Sequence, residues 1–182
     1  MELAEELDRI AAVAARFADD GEALTGVLPT EPRPGTRVFL CAFERAESRS
    51  WLALDAAGEP IEDRSTVREA VSIAVLCEVA EETAGGGDLS ELRAQLVALR
   101  VTESPPGLDE AEEAALALEA VVGAPPRLAC PEHLDAVGAA TRRLERALGE
   151  GASPFAEAMR DGFVLVDALS AEVEQAYKRP LR

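Results

Sequence analysis

The sequence predicts a predominantly helical α+β fold, with helices packed around or beside a small antiparallel sheet of two or three strands. Three observations carry this. The apolar period changes from three or four residues to two and back again along the chain. Capping-box patterns of the form S/T/D-x-x-E recur after residue 65, each followed by apolar residues at helical spacing. Aromatic residues make up only 4% of the chain against 48% apolar overall, so the core is built from Ala, Leu and Val, which suit closely packed helices.

Residues 2–18 read as an amphipathic helix, because Leu3, Leu7, Ile10, Val13 and Phe17 recur every three or four positions. Asp19, Asp20 and Gly21 end it, and residues 22–35 read as a loop in which Pro29, Pro32, Pro34 and Gly35 oppose regular structure. TRVFLCAFE (36–44) and SWLALD (50–55) read as a hairpin. The first run is apolar on both faces, so both sides of that strand should be covered. Glu59-Pro60-Ile61 is a candidate short third strand.

From residue 66 the chain reads as mainly helical. Thr66–Glu69 opens a helix to about Ala84, Asp88–Glu91 one to about Val101, and Asp109–Glu112 one to about Val122. Pro131 suits the first turn of a helix to Leu148, and Ser153-Pro154 opens a further short one. Phe163–Asp167 reads as either a strand or the start of the last helix, which runs from Ala168 to Lys178. The organisation expected is a single domain over 1–182: an N-terminal helix and loop (1–35), a hairpin or meander (36–62) and a helical part (63–182).

Charge bounds the partners. Thirty-five Asp and Glu stand against 18 Lys and Arg, a formal net charge of −17. Such a surface repels phosphate backbones and anionic lipid, which argues against nucleic-acid and membrane partners. No stretch of about 18 apolar residues exists to span a bilayer, and the acidic N-terminus lacks the form of a secretory signal. Cys41, Cys77 and Cys130 are far apart and show no CxxC spacing, so reduced thiols and a cytoplasmic location are expected.

One stretch carries candidate chemistry. In CEVAEETAGGG (77–87), Glu78, Glu81 and Glu82 share one helical stripe with Val67, Val71 and Ala74. Like charges at this spacing repel, so an opposing cation is expected, either an arginine from another helix or a metal ion, with arginine favoured.

The same segment resembles part of the Nudix hydrolase box. Glu69 falls where that box has its first Glu, and Glu78, Val79, Glu81 and Glu82 fall on its Glu-apolar-x-Glu-Glu. Asp63, Cys77 and Ala84 stand where the box has Gly, Arg and Gly. The resemblance covers residues 63–85 alone. It implies Mg²⁺ held by Glu78, Glu81, Glu82 and Glu69, and hydrolysis of nucleotide-like diphosphates, with Glu132 as a further candidate. Glu78-x-x-Glu81 and Glu132-x-x-Asp135 also resemble the paired acidic motifs of the all-α nucleoside triphosphate pyrophosphohydrolases.

Beyond that stripe the constellations are sparse. His133 is the only histidine, which leaves no set of ligands for zinc or di-iron, and it reads as a helix-terminus residue. Gly85–Asp88 lacks the Lys and Ser/Thr of a phosphate loop and reads as a helix stop. Trp51 and the C-terminal group Tyr177, Lys178 and Arg179 are candidate interaction residues, the last three gathering cations at the end of an acidic chain. The reading favoured is a non-catalytic acidic protein without a cofactor, which acts by binding a protein partner or by self-association. The alternative is the Mg²⁺-dependent hydrolase.

Overall fold

The N-terminal amphipathic stripe forms α1 (Leu3–Ala14), continued by a single 3-10 turn, Ala15–Phe17. The computed structural model describes residues 2–85, 89–102, 107–123, 127–149 and 153–178, and for residues 85 and 89–91 the backbone only. Three antiparallel strands follow in the order β1 (Ala23–Arg33), β2 (Thr36–Arg45) and β3 (Ser48–Asp55). Five further helices complete the described chain: α2 (Arg64–Gly85), α3 (Leu89–Thr102), α4 (Leu108–Val122), α5 (Pro131–Leu148) and α6 (Pro154–Ala176). The fold is therefore the helical α+β arrangement with one small antiparallel sheet that the period changes predict.

The chain divides into two compact units. The first comprises residues 1–75, 126–131 and 163–182, and the second residues 76–125 and 132–162. The first holds the sheet. Phe39 pairs with Leu54 and Cys41 with Leu52 across β2 and β3. On that face these four side chains join Phe43, Ile10 and Ala14 in one buried cluster, so α1 covers it. Val38, Leu40, Trp51 and Ala53, on the opposite face, are buried too, as the doubly apolar β2 requires.

β1 corrects the reading of residues 22–35 as loop. It pairs with β2 from Ala23↔Glu44 to Arg33↔Thr36, with irregularities after Leu24 and Thr30. Its prolines are tolerated because β1 is an edge strand. Ala129 bonds to its outer side, donating to the Pro29 carbonyl (3.0 Å) and accepting from the Glu31 amide (2.8 Å). The backbone of Pro29 thus faces away from β2, where its missing N–H costs no ladder bond, and Pro32 falls in the second irregularity. Glu59–Ile61 supplies only an isolated bridge, Leu54↔Pro60, so the third strand is β1 and not this segment.

The described residues of the second unit form helices and no strand. Its core, Ala80, Ala84, Leu96, Leu108, Ala111, Ala114, Ala115, Leu118, Val137, Leu144 and Phe155, is the small-residue packing expected of a chain poor in aromatics. Ion pairs Arg93–Glu119 and Arg100–Glu112 fasten α3 to α4 near either end of the pair.

Two helix starts differ from the sequence reading. The α2 cap is Asp63, whose carboxylate accepts from the Ser65 and Thr66 amides (3.2 and 3.1 Å), so the helix begins before Thr66. Asp109 lies inside α4, bonded to Arg100, and Gly107, in the left-handed region, precedes that helix. Asp88, the cap expected for α3, lies outside the described residues.

The largest correction concerns residues 153–178. The short helix, the ambiguous Phe163–Asp167 and the last helix are one 23-residue helix, α6. Gly162 sits inside it as a packing residue and not a break. A Cβ there would stand 3.4 Å from Leu76 and Val79.

Candidate functional site

The acidic stripe lies on the second half of α2, within the second unit. Glu78 and Glu82 are exposed, and no described residue pairs with either. Glu81 is half-buried and meets His133 of α5, Nε2 to Oε1 2.5 Å. Within the second unit, a histidine that the spacing alone does not point to thus stands against Glu81. His133 reaches it because Pro131 starts α5 two residues earlier, which confirms His133 as a helix-terminus residue. Among the described residues, no group of three or more His, Cys, Asp or Glu side chains converges as a metal site.

The other residues of the hydrolase alternative have surroundings of their own. Glu69 belongs to the first unit, where Arg33 of β1 grips it with two hydrogen bonds, Nε to Oε2 at 2.6 Å. This bidentate geometry satisfies both carboxylate oxygens. Glu132 and Asp135 are exposed on the first turns of α5.

The interaction candidates come together in the first unit. Tyr177 forms an isolated parallel bridge with Trp51, and the Lys178 amide donates to the Trp51 carbonyl at 2.7 Å. The Trp51 indole donates to Glu172 of α6 at 3.3 Å. The Tyr177 hydroxyl donates to the Ile61 carbonyl (2.5 Å) and accepts from the Ala53 amide (3.2 Å), and burial holds its pKa above the ordinary value. Lys178 Nζ reaches the Phe17 carbonyl (2.7 Å), Asp19 (3.2 Å) and Glu22, and lies 4.5 Å from the Phe43 ring centroid. Trp51, Tyr177 and Lys178 thus form a clasp that closes the free edge of β3. Arg179 lies outside the described residues.

Two features escaped the sequence reading. On α6, Phe163, Val164 and Leu165 are 57%, 69% and 53% exposed. Three consecutive residues on a helix fan over about 200°, so no single core contact covers them all. That signal was present in the sequence but is masked if the segment is taken as a strand. The second is a narrow, partly open cleft in the first unit, with a cavity volume of about 20 Å³, between α2 and the second half of α6. Its inner wall contains Ser170, a polar residue only 3% exposed. Nothing in the sequence marks that serine apart from the others.

No helix of the described residues is long and apolar enough to cross a membrane. Comparison with protein-family models, with curated proteins and with solved structures finds no match.

Proposed function

We propose that this chain is a non-catalytic, cytoplasmic accessory or regulatory protein that works by binding another protein. The observation that carries this reading is the exposed apolar group Phe163–Val164–Leu165 on α6. Exposed apolar side chains are ordinary when scattered, but a contiguous group rimmed by polar residues is the usual mark of a protein contact. Asp167, one turn on in the same helix, is exposed beside it. A partner with an apolar centre and a basic rim complements such a surface, and the net charge of −17 speeds its approach. Two of the carboxylates of the hydrolase alternative are already engaged within the protein, Glu81 by His133 and Glu69 by Arg33, which favours the same reading.

The test is affinity purification from the native host with the wild-type chain and with Val164→Glu. Val164 is exposed, so the substitution should leave the melting temperature within about 2 °C. A partner recovered with the wild type and lost with the variant supports the reading. A partner retained equally by both refutes the assignment of this surface. Light scattering on the purified chain establishes whether that partner is a second copy.

A further inference from the structure

The two edges of the sheet differ. β3 is closed by the clasp of Trp51, Tyr177 and Lys178, and the second half of β1 is closed by Ala129. There Pro29 and Thr30 are buried. From Ala23 to Leu28 the same strand has no neighbour on its outer side among the described residues, and Ala23, Thr25, Gly26 and Leu28 are exposed. Alternation along an antiparallel ladder fixes which backbone groups face outward. The register is regular from Gly26 to Thr30, and the Pro29 carbonyl bonds outward to Ala129. Two residues earlier, the amide and carbonyl of Val27 therefore face outward too, with no described partner. The stretch 23–28 contains no charge, no lysine and no proline to protect it from pairing. Beside it, α1 and β1 bound an open groove of about 260 Å³. Leu7 and Ala11 of α1 and Leu24 and Val27 of β1 form its apolar wall. Asp8, exposed and paired with no described residue, is the charged group among them.

We infer that this open edge takes up an extended segment of another protein as an added strand, one whose groove-facing side alternates apolar residues with a lysine or arginine. The surface is separate from Phe163–Leu165, and the inference does not rest on that contact. Outward N–H and C=O groups at strand spacing are met together only by another extended backbone. Ala129 already pairs in this way within the chain, on the next stretch of the same edge, donating to Pro29 and accepting from Glu31. Leu24 and Val27 lie on the face that α1 covers and leave room beside them for apolar side chains. Asp8, with the exposed Glu5 one turn before it, and the net charge of −17 select a basic segment. A second copy pairing edge to edge sets another −17 beside the first, which disfavours it as the occupant.

The probe is the end-blocked peptide Thr-Val-Thr-Lys-Thr-Val-Thr, in which the valines and the lysine share one face. Titrated into the full chain at up to millimolar concentration, it should shift the amide resonances of Thr25, Gly26 and Val27 saturably. An added strand bonds to its neighbour through alternate residues only. N-methylation of one alternate set of peptide amides should therefore weaken binding about ten-fold or more, while methylation of the other set leaves it unchanged. Val27→Pro removes the outward N–H at a position equivalent to Pro29, so the variant should fold and lose the peptide, with a thermal melt to check the fold. Asp8→Asn should weaken binding about two- to three-fold. The proposal is overturned if these amides do not move, or if the two methylated peptides behave alike. It is also overturned if the same amides respond to the concentration of the chain alone and light scattering shows a dimer, since the edge then belongs to a second copy.

Discussion

Lys178 and Glu22, 156 positions apart in sequence, meet in an ion pair whose side chains are each only 9% exposed. The pair ties the end of the described chain to the turn between α1 and β1. Glu22 is held from several sides, since the Asp19 amide donates to it at 2.8 Å and the Ser50 hydroxyl at 2.8 Å. Burial by itself raises the Glu22 pKa, but the bond from Lys178 and those from Asp19 and Ser50 outweigh it and bring the carboxyl down to about 2.

Replacing Lys178 with Met leaves Glu22 buried without its cation. Loss of one partner of a buried pair costs about 3 kcal/mol, so the midpoint of urea unfolding should fall accordingly. The double variant Lys178→Met with Glu22→Gln should recover part of that loss, because no uncompensated charge remains. Equal stability of the single and double variants would show that the pair contributes only packing.

The same shift gives an acid limb. Glu22 has a folded pKa below its ordinary 4.5, so its contribution is complete above that pH and fades as the pH falls towards 2. Its full size is on the order of 3 kcal/mol. Stability measured against pH should therefore drop more steeply below 4.5 in the wild type than in Glu22→Gln.

Cys41 sets the alkaline limb. It is buried on β2, and burial pushes its thiol pKa up to about 12. A raised pKa favours the folded state below the ordinary 9.0 and is lost as the pH climbs from there towards 12. Alkylation of Cys41 at pH 8 should follow global unfolding, and Cys41→Ala should flatten the fall in stability above pH 9. Rapid labelling of the native chain at Cys41 would contradict this placement.

Glu78 and Glu82 are exposed, so Glu78→Gln with Glu82→Gln should alter stability by no more than about 0.5 kcal/mol. Glu81→Gln should cost about 1 kcal/mol through its bond to His133. Millimolar Mg²⁺ should leave the melting temperature unchanged. A rise with Mg²⁺ that vanishes in the double variant would favour the diphosphate hydrolase instead.

Gly58 has φ of +87°, and a Cβ there would stand 3.1 Å from Val13. Gly58→Ala combines left-handed strain with that contact and should cost about 1–2 kcal/mol, read from the melting temperature. A neutral outcome would mean that the turn after β3 rearranges.

Periodicity made α1, the β2–β3 hairpin, α4 and α5 legible because each has one clear apolar spacing and a local stop. β1 was hidden because Pro29 and Pro32 are compatible with a strand only at an edge, and edge position is a property of the assembled sheet. α6 is legible only in pieces because Phe163–Asp167 suits a strand as well as a helix; within the fold it is one helix, with Gly162 packed against Leu76 and Val79. The stripe Glu78–Glu82 was legible as a stripe, since helical spacing alone places it. Its partner was not, because the reach of His133 depends on how α5 lies beside α2 within the second unit.

Composition and local period by themselves determined the helical α+β class, the acidic surface, the small-residue core and the order of most elements. Tertiary structure alone decided which charges are spent internally: Lys178 on Glu22, Arg33 on Glu69 and His133 on Glu81. It also decided that Phe163–Leu165 stay exposed on the surface and that the Ser170 hydroxyl is buried. The physical reason is range. Helix and strand preferences are set within a few residues along the chain. Burial and ion pairing depend on distances in space between residues that sequence places far apart.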